Sequence, residues 1–235
     1  MRKGVPDEKR YMNRGEVTDV RVSDNRTNLK LIKKETMTDT TAAPSLKGTK
    51  TAENIAKAYV AESIAVTRYQ IYANVARKEN YFFFSKIFEE TAANELHHSK
   101  IYLSMLKEGG VAPGPVTVDS GNISDTLTNL KISSSEELHE GVDLYKTSAE
   151  TAREEGFDHI ADVFESIATI EEHHRKRFDA MAKEIEDGTV WKRDKPIKWQ
   201  CDVCGYIFEG TEPPKVCPAC AHPYQHYFPE PQGQF

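Results

Sequence analysis

The sequence predicts a mainly α protein: a bundle of four long helices followed by a small metal-bound module of short strands and loops. Three observations predict it. Between Thr51 and Glu186, apolar residues recur at spacings of three and four in four long segments. The first pair of segments and the last pair each have a short connection, whereas 25 residues, 109–133, separate the second from the third. All four cysteines fall between Cys201 and Cys220, in two Cys-x-x-Cys pairs.

Length and charge set the outer bounds. A chain of 235 residues makes one or two domains. The net charge of −6 argues against nucleic-acid binding through a general basic field. No run of 18 apolar residues is present, so no spanning helix is expected. Met1 to Arg10 lacks the apolar segment of a secretory signal. The expectation is a cytoplasmic protein with neither membrane nor nucleic acid as a partner. Four cysteines are too few for a disulfide scaffold in a chain this long, and their clustering reads as a metal site.

The elements follow in order. Residues 1–50 hold 12 basic and 7 acidic residues and few large apolar ones, so residues 1–45 read as a disordered extension, too acidic for a transit peptide. Lys34-Glu35 can be encoded AAG-GAG, which resembles a bacterial ribosome-binding sequence, so translation is expected to begin at Met37. The first helix is expected from Thr51 to Lys78, with the stripe Ile55, Tyr59, Val66, Tyr69, Ala73. The second is expected from Tyr81 to Lys107, with Phe84, Phe88, Tyr102 and Met105, stopped at Gly109-Gly110. A short extra helix over Ser124–Lys131 precedes the third, which is expected from Glu136 to Glu155, begun by Ser133 to Ser135 and ended near Gly156. The fourth is expected from Phe157 to Glu186, with Ile160, Phe164, Ile167, Phe178, Met181 and Ile185. Two antiparallel hairpins joined by one long crossover form the ferritin-like topology, here over residues 46–188. A polar linker containing Trp191 and Pro196 leads to a module over 196–235, whose core is too small to stand without a metal staple.

The stripes are interrupted by charge where apolar residues belong. Glu62 stands between Tyr59 and Val66. The second stripe continues from Thr91 as Glu95 and His98, and the fourth from Ile167 as Glu171 and His174. Glu137 and Glu140 precede Leu144 on one face of the third helix. Five carboxylates and two imidazoles thus face one core, where lone charges are costly and these would repel each other. Two ferrous ions bring +4 and two ferric ions +6 against the five carboxylates, so a dimetal centre neutralises the site. Glu-x-x-His on two helices plus a Glu from each of two others is the ligand set of di-iron and di-manganese carboxylate bundles, and mixed oxygen and nitrogen donors suit those metals. Ser134-x-x-Glu137 also fits a capping box, which gives Glu137 a purely structural alternative. His97 and His173 lie about 100° off the stripe and read as peripheral. Tyr69, two turns beyond Glu62, is placed to hydrogen-bond a ligand carboxylate; Tyr69 and Tyr145 also fit as plain core aromatics.

Cys201-x-x-Cys204-Gly205 and Cys217-x-x-Cys220 offer four thiolates to a tetrahedral ion. On this motif alone zinc and iron fit equally: zinc would be structural, whereas iron carries one electron.

From about Leu46 to Phe228 the chain resembles the rubrerythrin family, non-haem iron peroxidases of anaerobes and microaerophiles. The strings that carry the resemblance are Lys47-Gly48-Thr49-Lys50-Thr51, Ala61-Glu62-Ser63 with Arg68-Tyr69, Phe88-Glu89-Glu90-Thr91-Ala92, Ala152-Arg153-Glu154-Glu155-Gly156, and the two knuckles with Cys217-Pro218-Ala219-Cys220-Ala221-His222-Pro223. The resemblance implies two iron ions in the bundle and one in a rubredoxin-like four-cysteine domain. It implies that Glu95 and Glu171 bridge the pair, that Glu62 and His98 serve one iron and Glu137 and His174 the other. Glu140 would be a seventh ligand that exchanges with His98 as the redox state changes. Tyr69 and Tyr145 match family tyrosines near the centre.

Two departures stand out. Ile64, Ala65 and Val66 replace the polar neighbours usual after Glu62, and Leu96 and His97 replace charged residues between Glu95 and His98. Residues 1–45 have no counterpart.

The resulting expectation is reduction of hydrogen peroxide to water, fed by an external electron donor, a rubredoxin or an NAD(P)H-dependent reductase. The linker after Gly188 would set the two domains of one chain far apart, and the resemblance implies that one subunit's small domain lies against the partner's bundle, in a head-to-tail homodimer. The alternative is a ferritin-like ferroxidase or iron-handling protein, which has no need of an electron-relay module. A structural zinc-ribbon protein would leave the buried carboxylates unexplained.

Overall fold

The computed structural model describes residues 44–118 and 123–230. The expectations for residues 1–45 and for a start at Met37 fall almost wholly outside the described residues.

Helix α1 (Lys50–Lys78) begins at Thr49, whose side chain accepts from the Ala52 amide. Its first free amides are also met from across the chain: Lys50 N and Thr51 N donate to the Glu155 carboxylate at 3.0 and 2.8 Å. A helix N-terminus needs such acceptors because its first amides have no intrahelical partner. A tight turn through Asn80, in the left-handed region at φ 67°, leads to α2 (Phe82–Met105).

The third element corrects the expected one. Helix α3 (Thr126–Glu136), a π-helical segment (Glu137–Asp143) and α4 (Leu144–Glu154) run on without a break. Ser133 to Ser135 therefore start nothing. The cap is Asp125, whose side chain accepts from Thr128 N at 2.8 Å. Ser133 turns its hydroxyl back to Asn129 O at 2.8 Å, and Ser134 donates to Asp179 on the neighbouring helix at 2.5 Å. Both serines are buried, so tertiary packing overrides their preference for a helix start. With the helix continuous through Ser134, the capping-box reading of Glu137 falls. Gly156 at φ 82° turns the chain into α5 (Asp158–Glu186).

Two apolar clusters fill the bundle. One gathers Ile55, Tyr102, Tyr145, Phe164 and Ile167; the other gathers Tyr69, Phe84, Phe88, Phe178 and Met181. Glu62, Glu95 and Glu171 each lie in sequence between a member of one cluster and a member of the other. The buried charges thus form a polar layer with a dry core on either side.

The small module is a three-stranded antiparallel sheet of β1 (Ile197–Cys201), β2 (Ile207–Gly210) and β3 (Tyr227–Pro229) in the order β2-β1-β3. Its core is Trp199, Tyr227, Cys201 and Cys217. The linker is not a free tether. Trp191 stacks on Tyr81 with centroids 5.6 Å apart, Phe82 stacks on His226 at 3.9 Å and Phe83 on Phe228 at 4.6 Å. Lys86 pairs with Asp202 at 3.0 Å. The module rests on the start of α2. Glu95 lies thirteen residues further along that helix than Phe82, about 20 Å at 1.5 Å per residue. Among the described residues no helix is long and apolar enough to cross a membrane.

Candidate metal centres

Each helix brings its carboxylate to the polar layer because the interrupted stripe faces inward. Glu62, Glu95, His98, Glu137, Glu171 and His174 are all buried. They form two groups, Glu62/Glu95/His98/Glu171 and Glu95/Glu137/Glu171/His174, and within each the donor atoms lie within 4.8 Å of one another. The shared members divide their oxygens. Glu95 Oε2 is 2.7 Å from His98 Nδ1 and Oε1 is 3.1 Å from His174 Nδ1. Glu171 Oε1 is 2.9 Å from His98 Nδ1 and Oε2 is 2.8 Å from His174 Nδ1. Glu62 completes the first group, 3.7 Å from His98 Nδ1, and Glu137 the second, 3.8 Å from His174 Nδ1.

The donors converge but only partly satisfy each other: His174 Nδ1 pairs with Glu171 Oε2 at 2.8 Å. Both Glu95 oxygens, Glu171 Oε1 and His98 Nδ1 are buried and make no hydrogen bond, although the distances are short. These four atoms approach their neighbours in distance but not in direction, as ligands do when they point at a common centre. Buried polar atoms rarely go unpaired, so the set fits a pair of divalent or trivalent cations better than it fits itself.

Without metal the layer is electrostatically frustrated. Burial lifts Glu62 to about 8, helped by the Glu171 and Glu95 charges and opposed by His98. Burial, then Glu171 and Glu95, holds Glu137 well above the usual carboxylate range. Burial also disfavours charge on the histidines, but the carboxylates outweigh it: Glu171, Glu62 and Glu95 raise His98 to about 12, and Glu171 and Glu95 raise His174 to about 9. Burial opposes ionisation of Glu171 as well, yet His174 and His98 bring it down to about 2. The metal-free layer is thus a shared-proton network that cations would displace.

Two tyrosines steady the outer carboxylates. Tyr69 donates to Glu137 Oε1 and Tyr145 to Glu62 Oε1, each at 2.5 Å. His97 and His173 are exposed, as expected from helical phase. The Glu140 side chain lies outside the described residues, and its backbone lies in the π-helical segment.

Several neighbours were not evident from spacing. A cavity of about 30 Å3 opens onto Glu62, Glu95, Glu137 and Glu171, walled by Ala61, Ala65, Gly141 and the ion pair of Arg68 with Glu136. Gly141 is the tightest point. A Cβ built there would lie 2.5 Å from Glu171 Cβ and 2.6 Å from its Cγ. Only a glycine lets the π-helical segment approach Glu171 this closely, and a lone glycine inside a carboxylate-bearing helix was the available signal. Gly141→Ala is expected to displace Glu171 and weaken metal binding in the bundle by roughly 10- to 100-fold. Metal titration of the full chain checks this, with the thiolate site unchanged as the internal control.

In the second centre the four cysteines are free of disulfides. Cys201 and Cys220 sulfurs are 3.7 Å apart and Cys204 and Cys217 sulfurs 3.6 Å. Four sulfurs about 2.3 Å from a tetrahedral ion stand about 3.8 Å from each other, so the set fits one ion. Each knuckle closes alike: Gly205 N donates to Cys201 O and Ala221 N to Cys217 O, both at 2.9 Å. The closing residues take φ 76° and 59°. The first has a glycine for it; the second holds an alanine in a conformation that alanine rarely adopts.

Glutamates and histidines from the helices of a crossover bundle, paired around two neighbouring centres, define a ferritin-like di-iron carboxylate protein, here joined to a rubredoxin-like four-thiolate domain. The rubrerythrin family model matches residues 53–182 and 128–201, and the rubrerythrin rubredoxin-like domain model matches residues 199–228. The chain belongs to the rubrerythrin family. It is 46% identical over 188 residues to rubrerythrin-1 of Clostridium acetobutylicum, covering 78% of this chain and 95% of that one. It is 44% identical over 183 residues to the rubrerythrin of Nitratidesulfovibrio vulgaris, covering 78% and 95%. A solved structure of nigerythrin in a mixed-valence state matches with a TM-score of 0.52 and 26% identity, over 87% of this chain and 98% of that one. Membership carries a rubrerythrin-type redox function.

Proposed function

We propose that the chain reduces hydrogen peroxide to water with electrons passed through its own thiolate site from an external rubredoxin or NAD(P)H-dependent reductase. The observation that carries this reading is the pair of Glu/His groups sharing Glu95 and Glu171 beside a small cavity, in a chain that also holds a one-electron module. Two iron ions would supply both electrons for the O–O bond at once and polarise the bound peroxide, and the thiolate iron would restore electrons singly.

The chain's own groups then have definite tasks. Glu62 with His98, and Glu137 with His174, would hold one ion each, and Glu95 and Glu171 belong to both groups. Tyr69 and Tyr145 fix the outer carboxylates by hydrogen bonds, so that neither swings when charge at the centre changes. The cavity, about 30 Å3, has room for about two waters. It favours hydrogen peroxide, with its two heavy atoms, over a bulky organic hydroperoxide. The small side chains of Ala61 and Ala65 keep that space open, and the Arg68–Glu136 pair closes its flank.

Glu140 is the seventh ligand of this reading. The oxidised pair carries two more positive charges than the reduced pair, so an added carboxylate is favoured on oxidation and neutral His98 suffices on reduction. Glu140→Ala is expected to slow peroxide reduction while the visible spectrum of the thiolate site stays as it was. Steady-state peroxide consumption and absorption spectra check both halves. A head-to-tail homodimer in the cytoplasm, with electrons passing from one chain's thiolate site to its partner's bundle, is part of the proposal. The test is anaerobic: the iron-loaded chain with a reductase and NAD(P)H must consume hydrogen peroxide catalytically. Iron oxidation by dioxygen without peroxide turnover would favour a ferroxidase instead.

A further inference from the structure

We propose that Tyr102 is an electron reserve for the bundle's metal site, a phenol placed to give one electron when that site is one short. The inference rests on the peroxide reduction proposed above.

Tyr102 is fully buried on α2, in the apolar cluster beside the polar layer. Its hydroxyl lies beside that of Tyr145, yet it makes no well-formed hydrogen bond. A phenylalanine would fill the same space without burying a poorly bonded hydroxyl, so packing alone does not account for the residue. Its position does. The Tyr102 ring is 5.5 Å from the Tyr145 ring, and Tyr145 donates to Glu62 at 2.5 Å. Two phenols in contact therefore lead from a ligand carboxylate into a dry, apolar pocket closed by Phe164, 5.2 Å from Tyr102. Such surroundings exclude water from a radical and exclude the charged phenolate, so electron and proton must leave together.

The electron count calls for such a group. Two irons in the bundle and one at the thiolates hold three electrons when fully reduced, and peroxide takes two. The relay also refills the bundle one electron at a time. A half-reduced bundle meeting peroxide is therefore built into the scheme. Reduction of hydrogen peroxide to two waters needs two electrons and two protons; with one electron the balance is one water and a hydroxyl radical. Tyr102 supplies the missing electron together with its phenolic proton. That proton passes to the Tyr145 hydroxyl as Tyr145 gives its own toward Glu62 and the departing oxygen. The O–O bond breaks, solvent supplies the second proton, and Tyr102 is left as a neutral phenoxyl radical. One later electron from the thiolate site and one proton restore it.

The test mixes the fully reduced, iron-loaded full chain with two equivalents of hydrogen peroxide, without oxygen or external reductant, and freezes it for electron paramagnetic resonance. The expected result is peroxide consumption with a phenoxyl signal that narrows when the protein carries ring-deuterated tyrosine. Tyr102→Phe should lose that signal while melting within a few degrees of the wild type, since the lost hydroxyl makes only a poorly formed contact with Tyr145. Should the wild type consume peroxide with no radical, or with a signal that ring deuteration leaves unaltered, the reserve is refuted. The same signal in equal yield from Tyr102→Phe refutes it too. Should peroxide not be consumed at all, the peroxidase reading falls first and the reserve with it.

Discussion

Replacing Cys204 with serine is expected to reduce reductant-driven peroxide turnover to background while leaving one oxidation of a pre-reduced bundle intact. Cys204 is the exposed member of the four thiols, its sulfur 3.6 Å from that of Cys217. It sits in the small module, whose core of Trp199, Tyr227 and two other cysteines is separate from both bundle clusters. Loss of one thiolate leaves a three-sulfur site unsuited to reversible iron. None of the groups around Glu95 and Glu171 is touched. Rapid mixing of the chemically reduced variant with peroxide measures the surviving step, and a NAD(P)H-coupled assay measures the lost one. If the single oxidation vanished while metal analysis still found the bundle loaded, the division of labour between the two centres would be wrong.

Removing metal should destabilise the bundle more at pH 8 than at pH 6. In the metal-free layer Glu62 is raised from 4.5 to about 8, and His98 and His174 are raised from 6.5 to about 12 and about 9. For all three the folded state holds protons that the unfolded chain has released. Stability therefore falls as pH rises, from the ordinary carboxylate value upward. Glu171, brought down to about 2, acts in the opposite sense, but only below its ordinary value of 4.5. Metal binding needs the ligands deprotonated, so affinity rises over the same range. The gap between loaded and metal-free melting temperatures should thus widen from pH 6 to pH 8. At a metal concentration a thousandfold above Kd the gain is about 4 kcal/mol, roughly 10 °C for a chain of this size. Thermal melts of both forms across the range decide it. Equal melting temperatures at neutral pH, or a metal-free form that strengthens as pH rises, would contradict the clustered-ligand account.

The bundle and its ligand layer were legible because burying charge leaves a mark in sequence. Glu95/His98 and Glu171/His174 fall in phase with apolar stripes, where a solvated pair would fall out of phase, and one helical period carries each from spacing to place. The third element was misread for the opposite reason. Ser133 to Ser135 have the chemistry of a helix start, and only the packing of Ser134 against Asp179 shows that the helix passes through them. The π-helical turn at Glu137–Asp143 left one trace, Gly141, whose meaning depends on Glu171 standing across from it. The seat of the small module was likewise hidden. Tyr81 to Phe84 carry more aromatic surface than one buried stripe needs; Phe84 enters the bundle, whereas Phe82 and Phe83 stack on His226 and Phe228. Excess aromatics announce a second contact without naming it, since the partner lies about 145 residues further along.

The central claim is that peroxide is reduced between the helices and that the thiolate site only refills that centre. It is tested most directly by anaerobic titration of the fully reduced, iron-loaded chain with hydrogen peroxide, following both centres at once by Mössbauer and visible spectroscopy. The account predicts that the first peroxide oxidises the carboxylate-bound iron, and that the red thiolate-to-iron absorption returns only afterwards, as electrons drain into the bundle. Thiolate iron that oxidises while the carboxylate iron stays ferrous would contradict it.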